Sequence, residues 1–454
     1  MPATSANAAR LSALLETENE RYRASHPRSL ALADQASRSL LNGVPMSWMT
    51  HWATPFPLFM ERANGARLWD VDGNEYIDFC LGDTGAMAGH SPPATAEAIS
   101  RRAAMGVTAI LPTEDAVFVG DELTSRFGLP KWQIVMTATD ANRYALRLAR
   151  HLTGRPKVLV FNWCYHGTVD ETLAVLDSDG RVVRRPGVVG PTQPAGDTTR
   201  VVEFNGVDAL ERELAHGDVA CVIAEPALTN IGIILPDPGF HDALRDLTRA
   251  AGTLLLIDET HTICAGPGGM TAELGLEPDL LVVGKSIGGG MPVAAFGMTE
   301  AVARVVGEAV EEPDLNISGI GGTLSGNALA VAAVWATLST TLRAEDYERM
   351  IPLAQRWEAG VRDVIAECGL QWSVTRLGCR AEYWPATGDR TAAEAAAMSD
   401  DDATSYLHLH ALNRNVLLTP FHNMALMCPE TSADDVDRHT SVFREGLRHL
   451  ASIV

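Results

Sequence analysis

The residues LLVVGKSIGGGMPVAAFGM, Leu280 to Met298, decide how the rest of the chain is read. Leu280–Val283 is a short apolar run that ends in Gly284, Lys285 and Ser286. Gly288, Gly289 and Gly290 follow, then Met291-Pro292 and a second apolar run. A short apolar run closed by glycine predicts a strand buried on both faces. Lysine is rarely buried unless something pairs with it, so Lys285 at the end of such a strand needs a partner. The glycines after it permit positive φ and close backbone approach, which suits a flat ligand beside the amine. A lysine so placed can attack an aldehyde, and Schiff-base chemistry is the sharpest reading of the stretch. Gly284-Lys285-Ser286 also spells the end of a phosphate-binding loop. That motif wants a glycine where Asp279 stands, and its glycines ahead of the lysine rather than behind it. A surface lysine in an ordinary strand-to-loop turn is the remaining reading.

Upstream, the apolar run Leu254–Ile257 ends in Asp258-Glu259. A carboxylate at the end of a buried strand needs a cation or several donors. An Asp facing a pyridine nitrogen would keep that nitrogen protonated, whereas alone the acid pair reads equally as metal ligands or a structural cap. One helix and one strand separate Asp258 from Lys285, which would bring the two strand ends together. Val160-Phe161-Asn162 leads into Trp163-Cys164-Tyr165-His166-Gly167, where Tyr165 either stacks on a flat ring or belongs to the core. Cys164 and His166 lack a third ligand, so no metal site is expected. Met136-Thr137-Ala138-Thr139-Asp140 opens a helix, and free N–H groups and hydroxyls there bind phosphate or simply cap the helix. A second hydroxyl-glycine stretch, Gly321 to Asn327, opens another helix.

The balance of 36 basic against 57 acidic residues, net −21, argues against nucleic acid or an anionic membrane as partner. Apolar content of 46 % in 454 residues predicts a soluble chain of two or three subdomains. Seven cysteines without a C-x-x-C pair suggest reduced thiols and a cytoplasmic setting. No signal pattern opens the chain, and no run is apolar and long enough for a transmembrane helix.

Residues 9–38 predict one exposed helix, Pro45–Phe59 an aromatic segment serving as a surface contact or pocket wall, and Arg67–Asp83 a hairpin turning at Asp72-Gly73-Asn74. From about 92 to 335, helical and strand patterns alternate. Strands are expected at Gln133–Thr137, Val158–Asn162, Arg200–Phe204, Ala220–Ala224, Leu254–Ile257, Leu280–Val283 and Ala294–Gly297, with a helix over Ala141–Leu152. Such alternation predicts an α/β domain with a mostly parallel sheet and a site at the carboxyl ends of its strands. Asp177–Thr199 reads as a long loop over a site, Leu342–Glu367 as helix, and Arg390–Asp402 as a helix or insertion.

Lysine, aspartate, tyrosine and two phosphate loops in this order resemble the class III aminotransferases of fold type I, especially the branch of glutamate-1-semialdehyde aminomutase and β-amino-acid aminotransferases. The similarity runs from about Pro57 to Leu338, more weakly beyond, and rests on WDVDGNEYIDF, YHG, Asp258-Glu259, GKSIGGGMPVAAFG and GGTLSGN. It implies a fold type I α/β transferase: a large domain (76–335) with a mostly parallel seven-stranded sheet, and a small α+β domain from the N-terminal segment (1–75) and C-terminal segment (336–454). It implies pyridoxal 5'-phosphate as cofactor and Lys285 as the catalytic lysine that carries it and shuttles the proton. Asp258 would meet the ring nitrogen, Tyr165 one ring face and Thr260 the other. Thr137, Ala138 and Thr139 would hold the phosphate, with Thr323 reaching it across a homodimer, and Glu225 would lie near the phenolic oxygen. Ala138 and Asp140 replace the family's glycine and glutamate, and His261 stands where relatives have Met or Gln.

Relatives that bind a substrate carboxylate use arginines where this chain has Trp48 or Met49, and Phe421. With Trp52, these predict an apolar pocket that cannot grip a carboxylate bidentately. The expectation is therefore ping-pong transamination from a hydrophobic or aromatic amine, or a β-amino acid, to a 2-oxo acid. Arg181, Arg184, Arg185 or Arg414 would serve the acceptor's carboxylate. An aminomutase or racemase on the same cofactor is the alternative, with the missing arginine counting against the semialdehyde aminomutase itself. A catalytically silent binding protein of this fold is the other class of answer.

Overall fold

A computed structural model of the chain describes residues 5–190, 193–311, 319–386, 390–398 and 401–453. They fall into two compact units: Pro92–Tyr347 with Arg390–Ala397, and Met1–Ser91 with Glu348–Asp389 and Met398–Val454.

The larger unit is built on seven strands, β1 (Lys131–Val135), β2 (Lys157–Phe161), β3 (Thr199–Val202), β4 (Val219–Ala224), β5 (Leu254–Asp258), β6 (Leu280–Val283) and β7 (Ala294–Met298). Each lies within two residues of its expected bounds. Their spatial order is β1-β7-β6-β5-β4-β2-β3. β4, β5 and β6 run parallel, as do β2, β3 and β4, while β7 is antiparallel to β6 and β1. β4 (VACVIA) and β6 (LLVV) are buried at every position, the pattern of strands covered on both faces. In β7, Gly297 makes room for the Trp132 ring of β1, which a Cβ would meet at 2.7 Å.

The helix after β1, Ala138–Thr153, starts three residues before the expected Ala141. Thr137 caps it by accepting from Asp140 N, and Gly154 ends it at φ 66°. The helix carries a buried stripe of Asn142, Ala145, Leu146 and Ala149 against the sheet. Within Asp177–Thr199 the chain is more ordered than a loop: Val182–Arg184 pairs with Ala174–Leu176, and Ala195–Asp197 forms a turn of 3-10 helix. Residues 191–192 of that stretch lie outside the described residues. Of Arg390–Asp402, Ala392–Ala397 is helix, Asp401 begins the next helix, and 399–400 lie outside the described residues.

In the smaller unit the expected hairpin is present as Arg67–Asp70 against Glu75–Asp78. Its turn is held by the Asp70 carboxylate, which accepts from Asp72 N at 2.9 Å and Asn74 N at 2.8 Å. The single helix expected over 9–38 is instead two, Ser5–Ser25 and Pro27–Ala36. Pro27 has no N–H to continue the first helix and drives His26 to φ −127°, ψ 50°. Among the described residues, no helix is long and apolar enough to cross a membrane.

Candidate active site

Parallel pairing of β5 and β6 sets Asp258 opposite Val282, and Glu259 N donates to Val282 O at 2.8 Å. Lys285 follows three residues after Val282. Its φ of 51° is left-handed, a conformation that costs a bulky side chain about 1 kcal/mol or more and that recurs where a residue is aimed for chemistry. Gly284 lets this turn sit against the start of helix Ala138–Thr153: a Cβ there would meet the Ala138 and Ala294 methyl carbons at 3.1 Å. The half-buried Lys285 Nζ lies 2.8 Å from His261 Nε2.

Asp258 and Glu259 point to opposite faces, as neighbours at a strand end do. Glu259 is fully buried and structural. It accepts from Thr262 Oγ1 at 2.5 Å, Met270 N at 3.2 Å and Thr271 N and Oγ1, which fixes the helix Gly269–Leu274. Asp258 faces the other way. Its Oδ2 accepts from Asn142 Nδ2 at 2.8 Å and meets His166 Nδ1 at 2.9 Å, while Oδ1 accepts from Thr260 N at 3.1 Å. Burial pushes the Asp258 carboxyl up, but the hydrogen bond and charge of His166, with Thr260 and Asn142, outweigh it and hold it down at about 2. Burial likewise opposes a charged His166, yet Cys164 and Asp258 beside it raise its proton affinity well above the ordinary value. Both shifts favour an imidazolium beside a carboxylate.

The Tyr165-His166-Gly167 turn is tied to the loop before it in space. Gly167 has φ +77°, a Cβ there would come within 2.1 Å of Thr139 Oγ1, and Thr168 N donates to that oxygen at 3.1 Å. Tyr165 N donates to Glu225 Oε1 at 3.2 Å, and Glu225 Oε2 accepts from Thr229 N at 3.0 Å. Burial raises the Glu225 carboxyl above its usual range, against the pull of His166 and its donors. Thr137, Ala138 and Thr139 form the first turn of Ala138–Thr153 and its cap. Ala138 takes an ordinary helical conformation there, so the missing glycine costs nothing. Thr260 is buried beside Asp258. Thr323 is exposed, in a cleft with Ile110, Leu111 and Ser325.

In the smaller unit Trp48 and Phe421 meet edge to face, centroids 5.1 Å apart. Trp52 packs against the core of Tyr22, Tyr76, Leu409, Leu412 and Leu417. Of the four arginines considered for a carboxylate, Arg414 is bound by Glu18 and Glu445 at 3.0–3.1 Å, and the exposed Arg181 by Asp179 at 3.2 Å. Arg185 reaches the tyrosine turn: Nη1 donates to Cys164 O at 3.1 Å over the Trp163 ring. Sequence reasoning left out Asn142 and Thr229 and gave His166 no role. Asn142 had a signal, a polar residue inside an apolar helical stripe, and Thr229 lies four residues after Glu225.

Residues 48–366 match the family model of class-III aminotransferases, and the chain belongs to that family. It is 36% identical over 428 residues to a glutamate-1-semialdehyde 2,1-aminomutase of Sorangium cellulosum, covering 93% of this chain and 96% of the relative. Among solved structures, a glutamate-1-semialdehyde aminomutase from Pseudomonas aeruginosa PAO1 superposes with a TM-score of 0.95 at 48% identity, covering 97% of this chain and 99% of the other. A β-phenylalanine aminotransferase from Variovorax paradoxus superposes at 0.83 with 27% identity, covering 96% and 97%.

Proposed function

We propose that this protein is a pyridoxal 5'-phosphate enzyme that relocates an amino group within one substrate, an aminomutase of the glutamate-1-semialdehyde type. The cofactor rests on one observation: Lys285 and the buried, ionised Asp258 stand at the ends of adjacent parallel strands. The donor set fits such a cofactor, with an amine for its aldehyde, a carboxylate for its ring nitrogen and a helix N-terminus for its phosphate. When bound, the cofactor supplies an electron sink for charge developing at the substrate's amino carbon.

The chain's own residues do the rest. Lys285 Nζ would hold the cofactor's aldehyde and, when free, would serve as the base and acid that moves a proton between substrate carbons. Asp258, whose Oδ2 meets His166 Nδ1 at 2.9 Å, would hold the proton on the ring nitrogen. Tyr165 and Thr260 would cover the two ring faces, Thr137, Ala138 and Thr139 would bind the phosphate, and Glu225 would lie near the phenolic oxygen. Thr323 completes the phosphate site from a second copy of the chain. The uncovered Ile110, Leu111 and Leu324 around it, 80%, 71% and 52% exposed, support such a contact.

The choice of mutase over transaminase is supported by relatives of that name along almost the whole chain. Intermolecular transamination of an aromatic amine or β-amino acid is the second reading, favoured by the Trp48–Phe421 wall. The test is to load the protein with cofactor and supply glutamate-1-semialdehyde without any oxo acid. Formation of 5-aminolevulinate is expected. The reading is overturned if none forms while 1-phenylethylamine or β-phenylalanine is consumed in step with added 2-oxoglutarate or pyruvate.

A further inference from the structure

We infer that His261 is the proton partner of Lys285, accepting the lysine's proton at Nε2 and returning it during turnover. The inference rests on the reading of Lys285 as the cofactor-bearing lysine. Two basic nitrogens 2.8 Å apart share a single proton along the line between them, since both cannot point a hydrogen into that gap. A lysine amine is a point charge on a flexible stem with three rotatable donors, so a fixed acceptor determines where its remaining hydrogens point. Here the backbone is already constrained at φ 51°, and the imidazole constrains the other end of the side chain.

His261 sits three residues past Asp258, just before the short 3-10 turn Thr262–Ala265, so its own position is set by the end of β5. Each time Lys285 takes a proton from substrate carbon it becomes an ammonium. One N–H bond at Nζ then breaks as one forms at His261 Nε2, and the reverse step restores the ammonium for reprotonation at the second carbon. No oxidant or reductant takes part. The other titratable groups packed around these strand ends are already committed. Glu259 is enclosed by Thr262 and Thr271, Asp258 is paired with His166, and Glu225 is held by Tyr165 N and Thr229. His261 Nε2, 2.8 Å from Nζ, is placed to exchange that proton.

The experiment compares wild type, His261→Gln, His261→Leu and Lys285→Ala by two readouts across pH 5–9. The first is the rate at which apoprotein takes up pyridoxal phosphate, followed by absorbance. The second is the single-turnover rate with the loaded enzyme. Wild type should show an inflection in both profiles that reports the shared proton. Both His261 variants should lose it and turn over at least about 10-fold more slowly. A merely structural His261 would be rescued by Gln, with the inflection intact. That outcome, or wild-type profiles in both variants, overturns the inference. Normal covalent loading of Lys285→Ala would instead overturn the lysine reading on which it rests.

Discussion

Replacing His166 by Leu tests the electrostatic frame of the site, because the charge state of Asp258 depends on it. The carboxyl is held at about 2 instead of 3.8 despite complete burial, a difference worth roughly 2 kcal/mol in favour of the ionised form. Removing His166 leaves a buried carboxylate with only neutral donors, from Asn142 and Thr260, and stranding a buried charge costs about 3–5 kcal/mol. His166→Leu should therefore lower apoprotein stability by about 3 kcal/mol at pH 7. Asp258→Asn strands the imidazole instead, and the double variant should fall short of additivity by roughly 2 kcal/mol. The assay is urea denaturation of all four proteins at one protein concentration. The pH dependence has a fixed sign. Asp258 is depressed, so its contribution is full above 3.8 and fades as pH falls through about 2. His166 is raised, so its contribution is full below 6.5 and fades as pH rises through its folded value. The coupling should thus be largest between about pH 4 and 6.5 and survive at pH 7. Single-variant losses that add within about 0.5 kcal/mol would refute the pair.

Gly167→Ala places a Cβ 2.1 Å from Thr139 Oγ1 at φ +77°, so the tyrosine turn or the phosphate loop must shift. Cofactor affinity, measured by absorbance titration of apoprotein, should weaken by about 10-fold or more, and wild-type affinity would count against the two loops forming one site. Borohydride reduction should fix the cofactor covalently to wild type but not to Lys285→Ala, with the labelled peptide containing residue 285; label elsewhere would displace Lys285 from its role. Phe421→Arg puts a bidentate donor beside Trp48, and the KM for a β-amino carboxylate should fall about 10-fold, whereas an unchanged KM would remove Phe421 from the substrate wall.

The sheet was legible because its strands are apolar runs cut by glycine or charge, a pattern that needs no tertiary information. The adjacency of the strand ends that carry Asp258 and Lys285 was legible for the same reason, since a parallel crossover leaves adjacent strands with their carboxyl ends side by side. The helix break at Pro27 was written in the chain as well, because proline has no N–H to give to a continuing helix. What the sequence could not display was the partnering of side chains across long separations. His166 and Asp258 are 92 residues apart, Asn142 and Asp258 116, and nothing local in Tyr165-His166-Gly167 says which of its polar atoms turns inward.

The same limit applies to the choice of reaction. Arg414, a candidate by position, is spent on Glu18 and Glu445, while Arg185, one of three in a stretch read as loop, lies against the tyrosine turn because a hairpin carries it there. An arginine's availability is decided by its neighbours, and those follow from the fold alone. Trp48 and Phe421 make the complementary point. Their rings meet edge to face, and neither side chain can grip a carboxylate bidentately. Glutamate-1-semialdehyde carries a carboxylate of its own, so an aromatic pair on the substrate wall counts against that substrate as well as against a dicarboxylate acceptor, and a mutase of this type needs another cation for it.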